Sequence, residues 1–320
     1  MKKEWLWILL LSLCLIILLP WSVLRWRSEK PPGQDFRIRV LLPNHQVETM
    51  PLEEYLVGVL AAEMPADFAP QALEAQAVAA RTYAAKRLSH VPVPDPGYDV
   101  DTTVKTQAWL NEAQMRQKWG WFAYWRNKAK LEKAVQATAG EVLVYNGDYI
   151  DAFYFSSCGR KPTERAEDVW GSSRPYLQNV SSEEQDPLRF VEHYTFTRQQ
   201  LAQKLGLQTV PRALLPADFE LTSLTAAGRA KTVTVLGRTY QANQFRLMLG
   251  LASTDIEWAV KPDELKITTY GKGHAVGLSQ YGANDMARRG ATYRQILAHF
   301  YPGAKIMSLA AKNGTPPAQG

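Results

Sequence analysis

The sequence predicts an α+β fold, a mixed body of helices and strands, standing behind a single N-terminal apolar helix. Three observations point there. A chain of 320 residues, 46% hydrophobic and 21% charged, is long and apolar enough for one or two full cores. Helical and strand-like patterns alternate irregularly, without the strand–helix–strand rhythm of a parallel α/β protein. One stretch of twenty residues without a charge, 5–24, stands apart from everything that follows. The same composition excludes a disordered chain. It also excludes a strong nucleic-acid binder: of the formal +6, a large part lies in Lys2, Lys3, Arg25 and Arg27 against Glu4 alone, and the remainder is close to neutral. Two cysteines, Cys14 and Cys158, build neither a disulfide framework nor a multi-cysteine metal site.

Residues 5–24 (WLWILLLSLCLIILLPWSVL) reach about 30 Å as a helix, the thickness of a bilayer's hydrocarbon core. Trp5, Trp7, Trp21 and Trp26 mark both rims, as interfacial anchors do. A cleaved signal peptide is the rival, but no small-x-small site follows the run. Arg25, Arg27 and Lys30 compete with Lys2 and Lys3 in the positive-inside count, and the N-terminal position of the run decides for an exported body. Residues 1–27 therefore read as a short cytoplasmic tail and a transmembrane anchor, and 28–36 as a polar, Pro-containing linker.

The body begins with FRIRVLL, 36–42, which alternates like a strand. Helical stretches follow at 51–64, 70–88, 109–136 and 279–300, with strand-like runs at 141–156, 219–240 and 265–270. Residues 190–260 read as a smaller subdomain within a body of 37–305, and 306–320 as a flexible tail too polar to pack.

In the first helix, Pro51 suits the opening position, Glu53 and Glu54 the first turn, and Pro65 forces the stop. At 100° per residue, Leu52, Leu56 and Val59 fall within about 40° of Glu63, so Glu63 is a carboxyl on an apolar face at the negative end of a helix. Both surroundings favour the protonated form, which a general acid working near neutral pH requires. The alternative is a core-edge glutamate paired with Arg81, which shares a face of the next helix with Ala77, Ala84 and Leu88.

A glycine-rich loop, GKGHAVGLSQYGA at 271–283, offers His274, Ser279, Gln280 and Tyr281 as polar and aromatic groups of the kind that bind sugars, with Ser279 a good N-cap. Read blandly, it is a turn whose His274 and Gln280 satisfy local backbone. In FYFSSCGRKPTERAEDVWG, 153–171, Cys158 with His274 as base invites a thiol-peptidase reading on a weak signal, and Asp168 is a candidate second acid, an exposed loop carboxylate being the commoner explanation. The 109–133 helix interleaves Trp109, Trp119, Trp121, Phe122, Tyr124 and Trp125 with Arg116, Lys118, Arg126, Lys128, Lys130 and Lys133. Such a stretch can stack on sugars and meet anions. A helix that buries its aromatics is the commoner explanation, and no site is assigned there.

The stretch EEYLVGVLAAEMPADFAPQALEAQAVAARTYAAKR (53–87) strongly resembles the opening motif of the stage II sporulation protein D family, which includes enhancer proteins of cell-wall amidases. FRLMLGLASTDI (245–256) and GKGHAVGLSQYGANDMARRGATYRQILAHFYPGA (271–304) resemble its later blocks, in the family's order. The resemblance implies a catalytic body with a substrate groove, in a membrane-anchored lytic transglycosylase of the cell membrane's outer face that cuts peptidoglycan glycan strands during forespore engulfment. It implies Glu63, the Glu of the AAEMP motif, as catalytic acid, and His274, Ser279, Gln280, Tyr281, Ser156, Ser157, Thr163 and Glu164 as groove residues. As partners it implies glycan strands, a cell-wall amidase and other engulfment proteins; a non-catalytic, glycan-binding amidase activator is the alternative function. Some members bind zinc through Cys and His near Cys158, but 153–171 holds no His, and Arg160 and Lys161 stand where a second Gly is usual. The expectation is therefore no metal and no cofactor.

Overall fold

The computed structural model describes residues 36–90, 93–103 and 105–309. The predicted anchor, almost all of the linker and the tail beyond 309 lie outside the described residues. Among the described ones, no helix is long and apolar enough to cross a membrane.

The α+β expectation holds. β1 (Arg37–Leu41) pairs antiparallel with β2 (Val47–Pro51) and parallel with β3 (Val100–Asp101). β2 runs straight into α1 (Leu52–Glu63), which ends where Pro65 dictates: Met64 turns extended and its N–H reaches the Leu60 carbonyl at 3.0 Å. α2 (Pro70–Ser89) opens on its proline and is buried on nearly every side, because Ala72, Ala75, Ala77, Ala79, Ala80, Ala84 and Ala85 let neighbours approach closely. Those neighbours are α1, α3 (Glu112–Ala137), β4 (Glu141–Tyr145), α7 (Gln280–Arg288) and α8 (Tyr293–Phe300).

Two predicted helices differ in detail. α3 starts at 112 rather than 109, because Asn111 and Gln114 form a reciprocal capping box, and it is interrupted at Gly120, whose φ of 72° and ψ of 167° are not helical. The predicted 279–300 run is two helices, α7 and α8, separated at Gly290 with φ 95°. The predicted 141–156 run is three strands, β4, β5 (Asp148–Tyr149) and β6 (Tyr154–Phe155), and the short helix α4 (Ala166–Trp170) follows. Residues 306–308, assigned from sequence to a flexible tail, belong to β14 (Lys305–Ser308), which pairs antiparallel with β4, Ile306 opposite Leu143. Ile306 and Met307 are half-buried, and the polar residues farther on conceal this strand from composition.

Buried apolar residues fall into two main clusters. The larger gathers α1, α2, the inner face of α3, β1, β4 and α8. The second draws only on residues 196–267. There β7 (Val191–Thr197), β12 (Glu264–Tyr270) and β11 (Ile256–Lys261) form one antiparallel sheet, and β8 (Phe219–Leu224), β9 (Ala230–Val235) and β10 (Arg238–Gln241) another. Leu201 of α5 (Arg198–Lys204) and Phe245 of α6 (Ala242–Leu249) pack into the same cluster.

Arg229, fully buried just before β9, ties the second cluster to the 158–164 loop: its guanidinium donates to the Cys158 carbonyl at 2.7 Å and the Pro162 carbonyl at 2.5 Å and pairs with Glu164 at 3.3 Å. Outside it, Arg160 and Lys161 grip Asp255 at 2.9 and 2.8 Å. Bridges from Ser157 to Lys272 and from Glu164 to Val276 hold this segment against the glycine-rich loop. β6 runs parallel to β13 (Leu278–Ser279), Tyr154 opposite Leu278, and the crossing is so close that a side chain at Gly277 would sit 2.1 Å from the Phe153 carbonyl oxygen.

Candidate functional site

Glu63 is the last residue of α1, half-buried at the wall of a groove of 580 Å³. Its Oε1 accepts the Ala108 N–H at 3.1 Å. Among the described residues, no cation forms an ion pair with it. The expectation that Arg81 does is overturned: Arg81, wholly buried, makes a two-point ion pair with Glu53, Nε to Oε1 at 2.8 Å and Nη2 to Oε2 at 2.7 Å, and fills its remaining donors with the Val135 and Glu141 carbonyls. Glu53 lies in the first turn of α1 and Glu63 in the last, so the helix separates the structural carboxylate from the free one.

Burial raises the Glu63 pKa, against three opposing influences: the Ala108 N–H, the Gln280 amide and the positive charge of Lys118. Lys118 reaches across from α3, its Nζ donating to the Ala61 carbonyl at 2.8 Å, and burial in turn lowers its own pKa. Gln280 opens α7, is 4% exposed, and its Nε2 has no hydrogen-bond partner of good geometry. Beneath the carboxyl, Gln107 accepts from Tyr55 at 3.2 Å and donates to the Tyr154 hydroxyl at 3.0 Å. Burial, reinforced by the nearby Glu63 charge, keeps both phenols well above their ordinary pKa. The result is a carboxyl that holds its proton longer than usual and, once ionised, meets an amide, an N–H and an ammonium.

Sequence-distant residues meet here through β6 and β13. The Tyr281 N–H donates to the Ser156 carbonyl at 3.0 Å, so Ser156, Gln280 and Tyr281 all line the groove with Glu63. Tyr281 stands edge-on between Phe68 and Phe190, at 4.9 and 5.1 Å, giving the groove an aromatic wall. Lys118, Trp119, Arg126 and Lys272 supply cationic and aromatic groups opposite. Asp67, exposed at the rim, is the second carboxylate among the described lining residues.

The other sequence candidates sit elsewhere. Ser279 is wholly buried, caps α7 by accepting the Gly282 N–H at 3.2 Å and donates to Glu184 at 2.8 Å. Ser157 donates to the other oxygen of Glu184, at 2.5 Å, and the Cys158 N–H donates to Oε1 at 2.7 Å. Glu184, its pKa raised by burial against these donors, is thus the knot that fixes both motifs, and sequence reasoning missed it. Thr163 is buried, donating to the Gln178 carbonyl at 2.7 Å and accepting the Val180 N–H at 2.8 Å. Glu164 is buried against Arg229 and Thr225, and burial raises its pKa.

His274 packs among Phe153, Phe155 and Trp170, with ring centroids 6.2, 5.7 and 5.2 Å away. Its Nδ1 accepts the Val276 N–H at 3.1 Å, which fixes the tautomer, and burial with the Arg246 charge pushes its pKa down to about 4. It lines a separate small cavity with Glu164 and Asp168. Asp168 is held ionised: burial opposes, but Lys231 at 2.8 Å and Arg165 at 3.1 Å bring its pKa below the ordinary value. Cys158 is buried with its thiol pushed up to about 12, so it is no thiolate nucleophile at neutral pH. Among the described residues, no group of three or more His, Cys, Asp or Glu could hold a metal ion.

Comparison with known proteins agrees with the motif resemblance. The family model described as stage II sporulation protein matches residues 44–145, the segment carrying Glu63, Lys118 and α2. The chain is 39% identical over 267 residues to stage II sporulation protein D of Bacillus subtilis (strain 168), covering 82% of this chain and 76% of that protein. The corresponding Bacillus amyloliquefaciens protein is 38% identical over the same shares. An amidase enhancer of Bacillus subtilis (strain 168) is 30% identical over 307 residues, covering 79% of this chain and 40% of that protein. Identity of this extent, across most of both chains, places the protein in the stage II sporulation protein D family.

Proposed function

We propose that this chain is a lytic transglycosylase that cuts the N-acetylmuramic acid to N-acetylglucosamine bond of peptidoglycan, with Glu63 as the single group that moves protons. The observation that carries this reading is Glu63 itself: an unpaired carboxyl in a polar and aromatic groove, raised in pKa by burial yet provided with stabilising partners for its anion. Glu63 donates its proton to the glycosidic oxygen as the bond to the muramoyl C1 breaks. The muramoyl C6 hydroxyl then closes on C1, and its proton returns to Glu63. Atoms balance without water, and the product is a 1,6-anhydro ring. A hydrolytic glycosidase needs a second carboxylate for water or for the sugar; this scheme does not.

The roles of the surroundings follow from charge. Protonated Glu63 matches the first half of the reaction, and the Ala108 N–H, Gln280 and Lys118 stabilise the carboxylate that exists between the two transfers. Residues 5–24 would anchor the body at the outer face of the cell membrane, where glycan strands of the sporulating cell are its substrate during engulfment.

The test is Glu63→Gln in the full chain, which removes the transferable proton at constant shape. Loss of glycan cleavage by at least about 10²-fold, with a melting temperature no lower than the wild type's, supports the reading; retained cleavage refutes it. The similarity to an amidase enhancer favours one second reading, glycan binding that stimulates a partner amidase. That activity would survive Glu63→Gln undiminished.

A further inference from the structure

The interruption of α3 at Gly120 divides its aromatics between two places. Trp119 lines the groove, whereas Trp121 is 63% exposed, Phe122 93% and Trp125 52%. Trp121 and Trp125 stand edge to face with ring centroids 6.1 Å apart, and the Arg116 guanidinium lies 5.8 Å over Trp125 and 4.8 Å over the buried Tyr124. The Trp121–Trp125 pair, with the neighbouring Phe122 almost fully exposed, serves no core, and such a patch marks a binding surface. Its continuity identifies the occupant. Lys118 and Trp119 on one side of Gly120, and Arg126 and Asn127 just past Trp125, all line the groove that holds Glu63. Whatever runs along the groove therefore leaves it over these rings.

We propose that Trp121, Phe122 and Trp125 form a distal platform on which sugars of the glycan strand, several positions from the bond being cut, stack their apolar faces. The proposal rests on the groove being a glycan groove. It gives the enzyme a preference for long strands, since short oligosaccharides fill the groove without reaching the platform. Arg116 and Arg126 suit the anionic muramoyl groups of such a strand.

The test separates binding from cleavage. In the full chain carrying Glu63→Gln, so that nothing is cut, adding Trp121→Ala and Phe122→Ala should weaken binding of purified long glycan strands about tenfold and leave binding of a muramoyl tetrasaccharide unchanged. In the Glu63 chain, the same pair should lower kcat/KM for long strands by a similar factor and not for the tetrasaccharide. Phe122→Ala alone, at the most exposed ring, should show part of the effect with no change in melting, which excludes a folding defect. Equal losses on long and short substrates would overturn the platform, as would no loss on either. Long-strand binding unchanged by the substitutions, together with a dimer that they dissociate, would assign the rings to a second copy. Unchanged strand binding with a tryptophan emission shift on adding phosphatidylglycerol to the bilayer holding the chain would assign them to lipid. If the Glu63 chain cuts no glycan of any length, the proposed reaction fails, while the binding arm still judges the platform.

Discussion

At the scale of single residues, the fate of Glu63 turns on which carboxylate meets the buried Arg81. Because Glu53 does, Glu63 is free to titrate, and its raised pKa has a thermodynamic sign. The folded state binds the Glu63 proton more tightly than the unfolded chain, so this group's contribution to stability is full below the unfolded pKa and is lost as pH rises through the folded one. Glu63→Gln should therefore melt at or above the wild type at neutral pH, measured calorimetrically, while cleavage disappears. The same proton sets the rate profile: cleavage should persist above the usual carboxylate range and fall as Glu63 ionises. Lys118→Met removes a charge that lowers the Glu63 pKa, so the alkaline limb of the pH–rate profile should move to higher pH. An unmoved limb would mean that another group is titrating. His274, neutral down to about pH 4, contributes no limb near pH 6.5.

Among the elements, α1 carries three glutamates, of which Glu53 and Glu63 have opposite duties. Glu53→Gln leaves the wholly buried Arg81 without a counter-charge and should cost about 3–5 kcal/mol in denaturant unfolding, in contrast to the silent change at Glu63. A comparable cost from Glu63→Gln would restore the structural role for that residue. Glu184 is the corresponding knot between the β6 loop and α7. Glu184→Ala frees the Ser157 and Ser279 hydroxyls and the Cys158 N–H, an expected loss of about 2–4 kcal/mol, with weaker glycan binding because Gln280 and Tyr281 follow Ser279. Unchanged stability would show that water replaces the carboxylate. α1 and Pro65 were legible in the sequence because a 3.6-residue period and a proline act locally. The partner of Arg81 was not, since helical angles give a face and not the neighbour across from it. Nor was the meeting of Ser156 with Tyr281, which depends on β6 and β13, strands of two residues each and too short for any alternation to register. Glu184 reads no differently from the exposed Glu183 beside it.

On the scale of the whole molecule, a buried cation ties the second core to the loop beside it. Arg229 immediately precedes β9 of the second cluster and spends its donors on the 158–164 loop. Arg229→Met should leave each core packed while breaking that junction, so calorimetry should resolve two unfolding transitions where the wild type shows one; a single transition at lower temperature would mean that the cores fold as a unit regardless. The α+β class and the motif carrying Glu63 were readable from pattern, whereas β7, α5, α6 and β11 gave no distinct signal because their short, half-exposed segments are stabilised by one another. What the molecule does with its groove depends finally on whether one carboxyl suffices, since Asp67 stands at the rim as the only other acid among the described lining residues. Mass spectrometry of purified glycan strands after incubation with the full chain decides it. The account predicts new ends that are 1,6-anhydro-muramoyl, one water lighter than reducing ends, and none with Glu63→Gln; ordinary reducing ends, or strands left intact, would contradict it.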